Sequence, residues 1–136
     1  MKQFPDNLLL RAFAPDVLAQ MKTDRALYQL QGPFTFESTV LGKVTVPLGF
    51  LTDFASIPRA ALWYIDDDDP GILFASIIHD FLYKQAGQLE DGRKYTREGA
   101  DMVLREGMQV CGARKDQCAA VYAAVRLFGG SHWNTA

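Results

Sequence analysis

The sequence is poor in the features that mark several common protein classes. It has two cysteines, Cys111 and Cys118, which are too few for the disulfide framework of a small secreted protein. Its formal net charge is −2, which argues against electrostatic binding to nucleic acid or to an anionic membrane. The N-terminus lacks a signal-peptide pattern, and no apolar run approaches transmembrane length. We therefore expect a soluble protein that binds no nucleic acid and does not insert into membranes.

The amino-acid composition is that of an ordinary globular protein. Hydrophobic residues make up 49% of the 136 residues and charged residues 22%, enough for one sizeable core, so we predict a single domain over residues 1–136. Strand patterns fill the N-terminal half and helix patterns follow. This order predicts an α+β fold in which a small antiparallel sheet packs with about three C-terminal helices.

The strand patterns lie between residues 7 and 48. Residues 7–13 are a short apolar stretch typical of an edge strand, whereas residues 17–24 fit either one helical turn or an irregular loop. In residues 34–40 apolar and polar side chains alternate, and Leu41-Gly42 then reverses the chain into a second alternating segment. These two segments predict a β-hairpin.

Three helices are predicted in the second half. The first covers residues 70–84 and is apolar over a broad arc. The second begins after a capping threonine, Thr96, and ends at Gly112. The third runs over residues 114–128, where apolar residues recur at helical spacing. Cys111 and Cys118 lie within the hairpin of the second and third helices, where both a disulfide and two reduced thiols are possible.

The helix over residues 70–84 carries a polar stripe on an otherwise apolar surface. Its members are Ser76, His79, Asp80 and Tyr83. Burying an ionisable pair is costly unless each group is hydrogen-bonded, paired or bound to a metal. The stripe therefore either contacts another polar part of the protein or lines a site.

Two interpretations of this stripe remain open. In the first, His79 is a general base oriented by Asp101 on the next helix, with Tyr83 beside it and Asp80 as a metal ligand or water partner. The implied cofactor is a divalent metal such as calcium. In the second, the same side chains form a structural network, with Asp101 paired to Arg97 or Arg105 at helical spacing.

The His-Asp-x-x-Tyr pattern from His79 to Tyr83, followed by Ala100-Asp101, resembles the core of phospholipases A2, including the parvoviral form. The resemblance implies that His79 is the base, Asp80 a calcium ligand and Asp101 the residue that orients the histidine. The sequence lacks the glycine-rich calcium loop and the disulfides of the secreted enzymes. A helical His-Asp pair also occurs in HD phosphohydrolases, but the further histidine ligands of that family are missing here.

The segment TDFASIPR, residues 52–59, has no clean periodicity. Aspartate and serine side chains cap backbone amides in turns, and a proline fixes the exit of the chain. We predict a structural motif in which an arginine reaches toward an aspartate on the helices. Its members are Thr52, Asp53, Ser56, Pro58 and Arg59.

Taken together, four segments between residues 25 and 133 resemble the family called domain of unknown function 1353. They are VPLGFLTDFASIPR, HDFLY, an Ala-Asp pair and VYAAVRLFGGSHW. The family occurs mostly in tailed bacteriophages and prophages. The resemblance implies a small phage protein found in the virion or the host cytoplasm, with other phage proteins as partners. We expect either a tail or baseplate component or a metal-assisted hydrolase acting on lipid or cell-envelope substrates.

Overall fold

The computed structural model describes residues 3–21, 27–53 and 70–133, and the structural statements below concern these residues. They form five strands, four helices and one short 3-10 helix. In chain order these are β1 (Leu10–Ala12), α1 (Pro15–Gln20), β2 (Tyr28–Leu30), β3 (Phe34–Ser38), β4 (Gly42–Val46), β5 (Leu51–Thr52), α2 (Pro70–Gln85), α3 (Arg97–Val110), α4 (Lys115–Phe128) and the 3-10 helix (Gly129–His132).

The strands form two antiparallel sheets. One has three strands, with β2 between β1 and β5, and the other is the β3–β4 hairpin. In the hairpin Phe34 lies opposite Val46 and Ser38 lies opposite Gly42, so the predicted hairpin is confirmed. Gly42 has a φ of 78°, a left-handed conformation that glycine adopts without a steric cost.

Of the two alternatives for residues 17–24, the helical turn is present, and it begins earlier than expected. The helix α1 begins at Pro15, which occupies its first turn, where the missing N–H of proline costs nothing. Its C-terminal end is capped at Met21, and residues 22–26 lie outside the described residues.

The C-terminal helices follow the sequence pattern closely. The side chain of Thr96 accepts a hydrogen bond from the N–H of Gly99 at 3.0 Å, so the predicted N-cap of α3 is confirmed. Gly112, with a φ of 86°, follows the end of that helix. Of the two alternatives for Cys111 and Cys118, the structure has reduced thiols and no disulfide between them.

The helices α2 and α3 approach each other closely at a small residue. A Cβ placed on Gly107 would lie 2.9 Å from the Cβ of Ala75. Contact at this distance requires a glycine, because a methyl group there would overlap the facing helix. Side chains near the middle of α2 thereby come within hydrogen-bond distance of α3.

The core has two parts. Aromatic side chains of the hairpin, the N-terminal segment and α2 pack together, with the rings of Phe4 and Phe36 4.3 Å apart and those of Phe34 and Phe74 5.2 Å apart. A second cluster lies between α2, α3 and α4. The predicted α+β arrangement, a small antiparallel sheet region followed by about three helices, is therefore confirmed.

A carboxylate on α3 also ties that helix to the hairpin, which the sequence pattern did not predict. Glu106 accepts hydrogen bonds from the hydroxyl of Ser38 at 2.7 Å and from the backbone N–H of Thr39 at 2.8 Å. The sheet region and α3 are thus joined by polar contacts in addition to apolar packing.

Candidate active site

The polar stripe of α2 is fully enclosed. His79 is 0% exposed, Asp80 2% and Tyr83 1%. The apolar neighbours Ile77, Ile78 and Leu82 on the same helix are also buried and hold it against the sheets and α3. Among the described residues, every buried side-chain nitrogen or oxygen has a hydrogen-bond partner. The enclosed polar groups therefore form a satisfied network.

Asp101 on α3 is the centre of that network. Its side chain is completely buried, and its Oδ1 lies 2.7 Å from Nε2 of His79. The hydroxyl of Tyr83 donates to the same oxygen at 2.6 Å. The predicted partnership of His79 and Asp101 is thus present, and Tyr83 belongs to it because it lies one turn after His79 on α2.

The ionisation of Asp101 determines which nitrogen of His79 carries a proton. Burial alone would raise the pKa of this carboxyl, but hydrogen bonds from His79, Tyr83 and Arg126 outweigh burial and lower the pKa below its ordinary value of 3.8. An ionised carboxylate only accepts hydrogen bonds, so Nε2 of His79 is the donor. In the neutral imidazole this leaves Nδ1 as the basic nitrogen.

Tyr83 stays protonated in this arrangement. Burial, followed by the hydrogen bond to Asp101, raises the pKa of Tyr83 well above its usual range, because a phenolate would lie beside a carboxylate in a site shielded from water. The ring of Tyr83 also lies 4.3 Å from the imidazole of His79, centroid to centroid. Tyr83 therefore acts as a donor that fixes Asp101.

Two arginines contact the other side of the carboxylate. Nη1 of Arg126, from the last turn of α4, donates to Oδ2 of Asp101 at 2.8 Å. Nη1 of Arg97 lies 3.8 Å from the same oxygen. Arg97 was a predicted partner of Asp101, because it lies four residues before it on the same helix. Arg126 was not predicted. No helical spacing links Arg126 to Asp101, since the contact depends on how α3 and α4 pack.

The other arginine considered as a partner of Asp101 is placed elsewhere. The guanidinium of Arg105 lies over the ring of Tyr122, 4.4 Å from its centroid, which is a cation–π arrangement on α4. Its helical spacing from Asp101 is compatible with a pair, but the packing of α3 on α4 directs it to an aromatic partner instead.

Asp80 contacts a different part of the protein from His79. The hydroxyl of Thr52 in β5 donates to Oδ2 of Asp80 at 2.5 Å, and Nζ of Lys84 lies 3.6 Å from the same oxygen. The 100° between consecutive residues of a helix accounts for the separate partners. The segment that starts at Thr52 is therefore linked to the stripe of α2 at Thr52 itself.

The resemblance to phospholipases A2 implies calcium at Asp80. Calcium takes six to eight oxygen ligands, several of them charged. The described neighbours of Asp80 are a hydroxyl that donates to it and the ammonium group of Lys84. No group of three or more histidine, cysteine, aspartate or glutamate side chains suitable for a metal occurs in residues 3–21, 27–53 and 70–133. These neighbours do not fit a calcium site, because a donor hydroxyl and a cation occupy the positions next to the carboxylate.

The remaining members of the predicted structural motif are only partly described. Asp53 follows β5 directly and is partly buried. Ser56, Pro58 and Arg59 lie outside the described residues, so the predicted contact of Arg59 with an aspartate stays a prediction.

The chain after α4 closes over Tyr83. A Cβ on Gly129 would lie 2.8 Å from the hydroxyl oxygen of Tyr83, so only a glycine leaves room for this phenol. The ring of Trp133 packs edge-to-face on that of Tyr83 with centroids 5.2 Å apart. Trp133 therefore anchors the segment after α4 to the core.

One known family matches the part of the chain that carries most of these residues. The family described as "Protein of unknown function (DUF1353)" matches residues 28–125, which is most of the chain. The chain belongs to this family. The DUF1353 match contains Thr52, His79, Tyr83 and Asp101, but it ends one residue before Arg126. Searches of curated proteins and of solved structures returned no match. Within the described part of this DUF1353 protein, no helix has the length and apolar character needed to cross a membrane.

Proposed function

We propose that this protein is a hydrolase of carboxylic esters in which His79 is the general base and Asp101 orients it. The observation that carries the proposal is the 2.7 Å contact between Nε2 of His79 and Oδ1 of an ionised, fully buried Asp101. A carboxylate in this position fixes the tautomer and the orientation of the imidazole, which is what a histidine base requires.

The proposed reaction uses Nδ1 of His79, once water replaces the hydrogen-bond partner that this buried nitrogen has in the structure. This nitrogen takes a proton from water while the water oxygen attacks the carbonyl carbon of the ester and forms a tetrahedral intermediate. The imidazolium then returns the proton to the leaving alkoxide as the carbon–oxygen bond breaks, giving a carboxylic acid and an alcohol. Asp101 stabilises the imidazolium between the two steps, and Tyr83 holds the carboxylate through its own hydrogen bond.

We propose phospholipids as the first substrate class to test. The order of His79, Asp80, Tyr83 and Asp101 is that of the phospholipase A2 core, and the contacts of His79 and Tyr83 with Asp101 support the same roles. Phages must cross the envelope of the host cell, and that envelope contains phospholipid esters. We therefore propose that the protein acts in the virion or in the host cytoplasm, with other phage proteins as partners.

A second candidate function is supported by a separate observation. His79 and Asp101 are both 0% exposed, and turnover requires His79 to reach water and substrate. In a structural or assembly protein of a phage tail or baseplate no such opening is needed. The network would then serve only to join α2, α3, α4 and β5.

A panel of substrates separates the two candidates. The full chain is assayed on vesicles of phosphatidylcholine and phosphatidylglycerol, on p-nitrophenyl butyrate and on purified peptidoglycan, each with calcium and with a chelator. The hydrolase proposal predicts ester cleavage that His79→Gln lowers about 10²–10⁴-fold, which is the usual contribution of a general base. His132→Gln, which changes the other histidine of the chain, is the matched control and should keep the parent rate.

The outcomes are distinct. The hydrolase proposal is contradicted if the protein cleaves neither the phospholipids nor p-nitrophenyl butyrate. It is also contradicted if the parent and His79→Gln cleave an ester at equal rates. The structural candidate is then tested by mass spectrometry of purified particles of the encoding phage. Presence in particles at a fixed copy number supports that candidate, and absence contradicts it.

A further inference from the structure

Arg126 lies at the junction of the buried network and solvent. It belongs to the last turn of α4, and its side chain is 30% exposed. Its Nη1 donates to Oδ2 of Asp101 at 2.8 Å, opposite the oxygen that binds His79 and Tyr83. No other described group makes so short a contact with Oδ2, since Nη1 of Arg97 is 3.8 Å away.

The main chain around Arg126 is itself fixed by Arg97. The guanidinium of Arg97 donates to the carbonyl oxygen of Val125 at 3.0 Å and to that of Arg126 at 3.1 Å. The end of α4 is thereby tied to the first turn of α3, one turn before Asp101. The position of Arg126 relative to the carboxylate is therefore set by two helices.

We infer that Arg126 is a positioning residue of the His79–Asp101 pair. A buried carboxylate can rotate about its Cβ–Cγ bond unless both oxygens are held. His79 and Tyr83 share Oδ1, and Arg126 holds Oδ2, so the plane of the carboxylate is fixed and Oδ1 stays directed at Nε2 of His79. Calling this pair a catalytic site rests on the function proposed above, whereas the positioning itself is a property of the contacts.

The competing explanation is that Arg126 only stabilises the fold. A cation in the last turn of a helix interacts favourably with the helix dipole, and a partly exposed ion pair adds little more. Under that explanation, removal of Arg126 lowers the melting temperature without altering His79. The two explanations therefore differ in what happens at the imidazole.

The test uses the imidazole N–H proton of His79 in nuclear magnetic resonance spectra of the full chain. A buried N–H donated to a carboxylate gives a downfield signal, and its proton exchanges slowly with water. Because the chain has two histidines, a signal that persists in His132→Gln belongs to His79. Arg126→Gln should move this signal upfield by at least about 1 ppm or broaden it by exchange. Arg126→Lys, which keeps the positive charge, should restore it in part. Arg105→Gln removes an arginine of the same helix as Asp101 that contacts Tyr122 instead, and it should leave the signal unchanged.

An unchanged signal in Arg126→Gln would overturn the inference, as would an equal change in Arg105→Gln. On an ester that the parent cleaves, Arg126→Gln should lower kcat about 10-fold or more with KM nearly constant, because the base is misplaced while substrate binding is not. If the parent cleaves no ester, the proposed function fails, but the spectroscopic result still decides whether Arg126 positions the pair.

Discussion

Replacing Asp101 with asparagine removes the charge of the network and keeps its shape. Asp101 accepts three short hydrogen bonds, from His79, Tyr83 and Arg126, at 2.6–2.8 Å. Asparagine has one acceptor oxygen and one NH₂ group, so a donor on one side of the side chain always loses its acceptor. The remaining bonds lose the negative charge of their acceptor, and each is weaker by roughly 1 kcal/mol than its counterpart with the carboxylate.

These losses together predict that Asp101→Asn lowers the free energy of unfolding by about 3–5 kcal/mol at neutral pH, the range typical of breaking a buried charge pair. A domain of this size has about 5–15 kcal/mol of stability, so the variant should still fold. Urea denaturation of the parent and the variant at pH 7 measures this difference.

The same variant has a predictable dependence on pH. The pKa of Asp101 is lowered in the folded protein, so its ionisation contributes stability that is fully present above the unfolded-state pKa near 3.8. That contribution is lost as the pH falls through the lower folded-state pKa. The stability difference between the parent and Asp101→Asn should therefore be constant from pH 7 to about pH 5 and should shrink below about pH 4.

Asp116→Asn is the control for Asp101→Asn. Asp116 pairs with Arg114 at 3.1 Å, but both side chains are more than half exposed, so its loss should change the unfolding midpoint little. Equal stability of Asp101→Asn and the parent at pH 7 would refute the reasoning. A difference that stays constant down to pH 3 would show that folding does not lower the pKa of Asp101.

Two further substitutions test the surroundings of the network. Gly129→Ala should cost roughly 1–3 kcal/mol of unfolding free energy, measured by urea denaturation, because its Cβ would lie 2.8 Å from the hydroxyl oxygen of the buried Tyr83. Gly130→Ala is its control, since a Cβ there lies 3.9 Å from its nearest neighbour, and an equal loss would contradict the steric reason. Thr52→Val should cost about 1.5–3 kcal/mol in the same assay by removing the hydroxyl donor of Asp80, and unchanged stability would show that this contact adds nothing.

The sequence predicts the parts of this protein that depend on local patterns. Helix α3 is specified by Thr96 at its start and Gly112 after its end, and the hairpin by alternation in residues 34–46. The pairing of His79 with Asp101 was also predictable, because the two residues lie on consecutive helices that can pack against each other. Their contact additionally needs the close approach at Gly107, which a helical pattern alone does not reveal.

The parts that the sequence does not predict depend on packing between distant segments. Arg126 reaches Asp101 only because α4 lies against α3, and in the sequence it is a single arginine in the last turn of a helix. Glu106 likewise reads as a surface residue, although it binds the hairpin through Ser38 and Thr39. Such contacts carry no fixed spacing along the chain.

The central claim is that Asp101 holds Nε2 of His79 protonated and leaves Nδ1 to act as the base. The position of the imidazole proton in ¹⁵N-resolved nuclear magnetic resonance spectra of the full chain tests it most directly. We predict that Nε2 of His79 carries a proton in the parent. The signal of this proton should disappear or lose intensity in Asp101→Asn. A neutral imidazole with its proton on Nδ1 would contradict the account, because the nitrogen facing Asp101 would then carry no proton to donate.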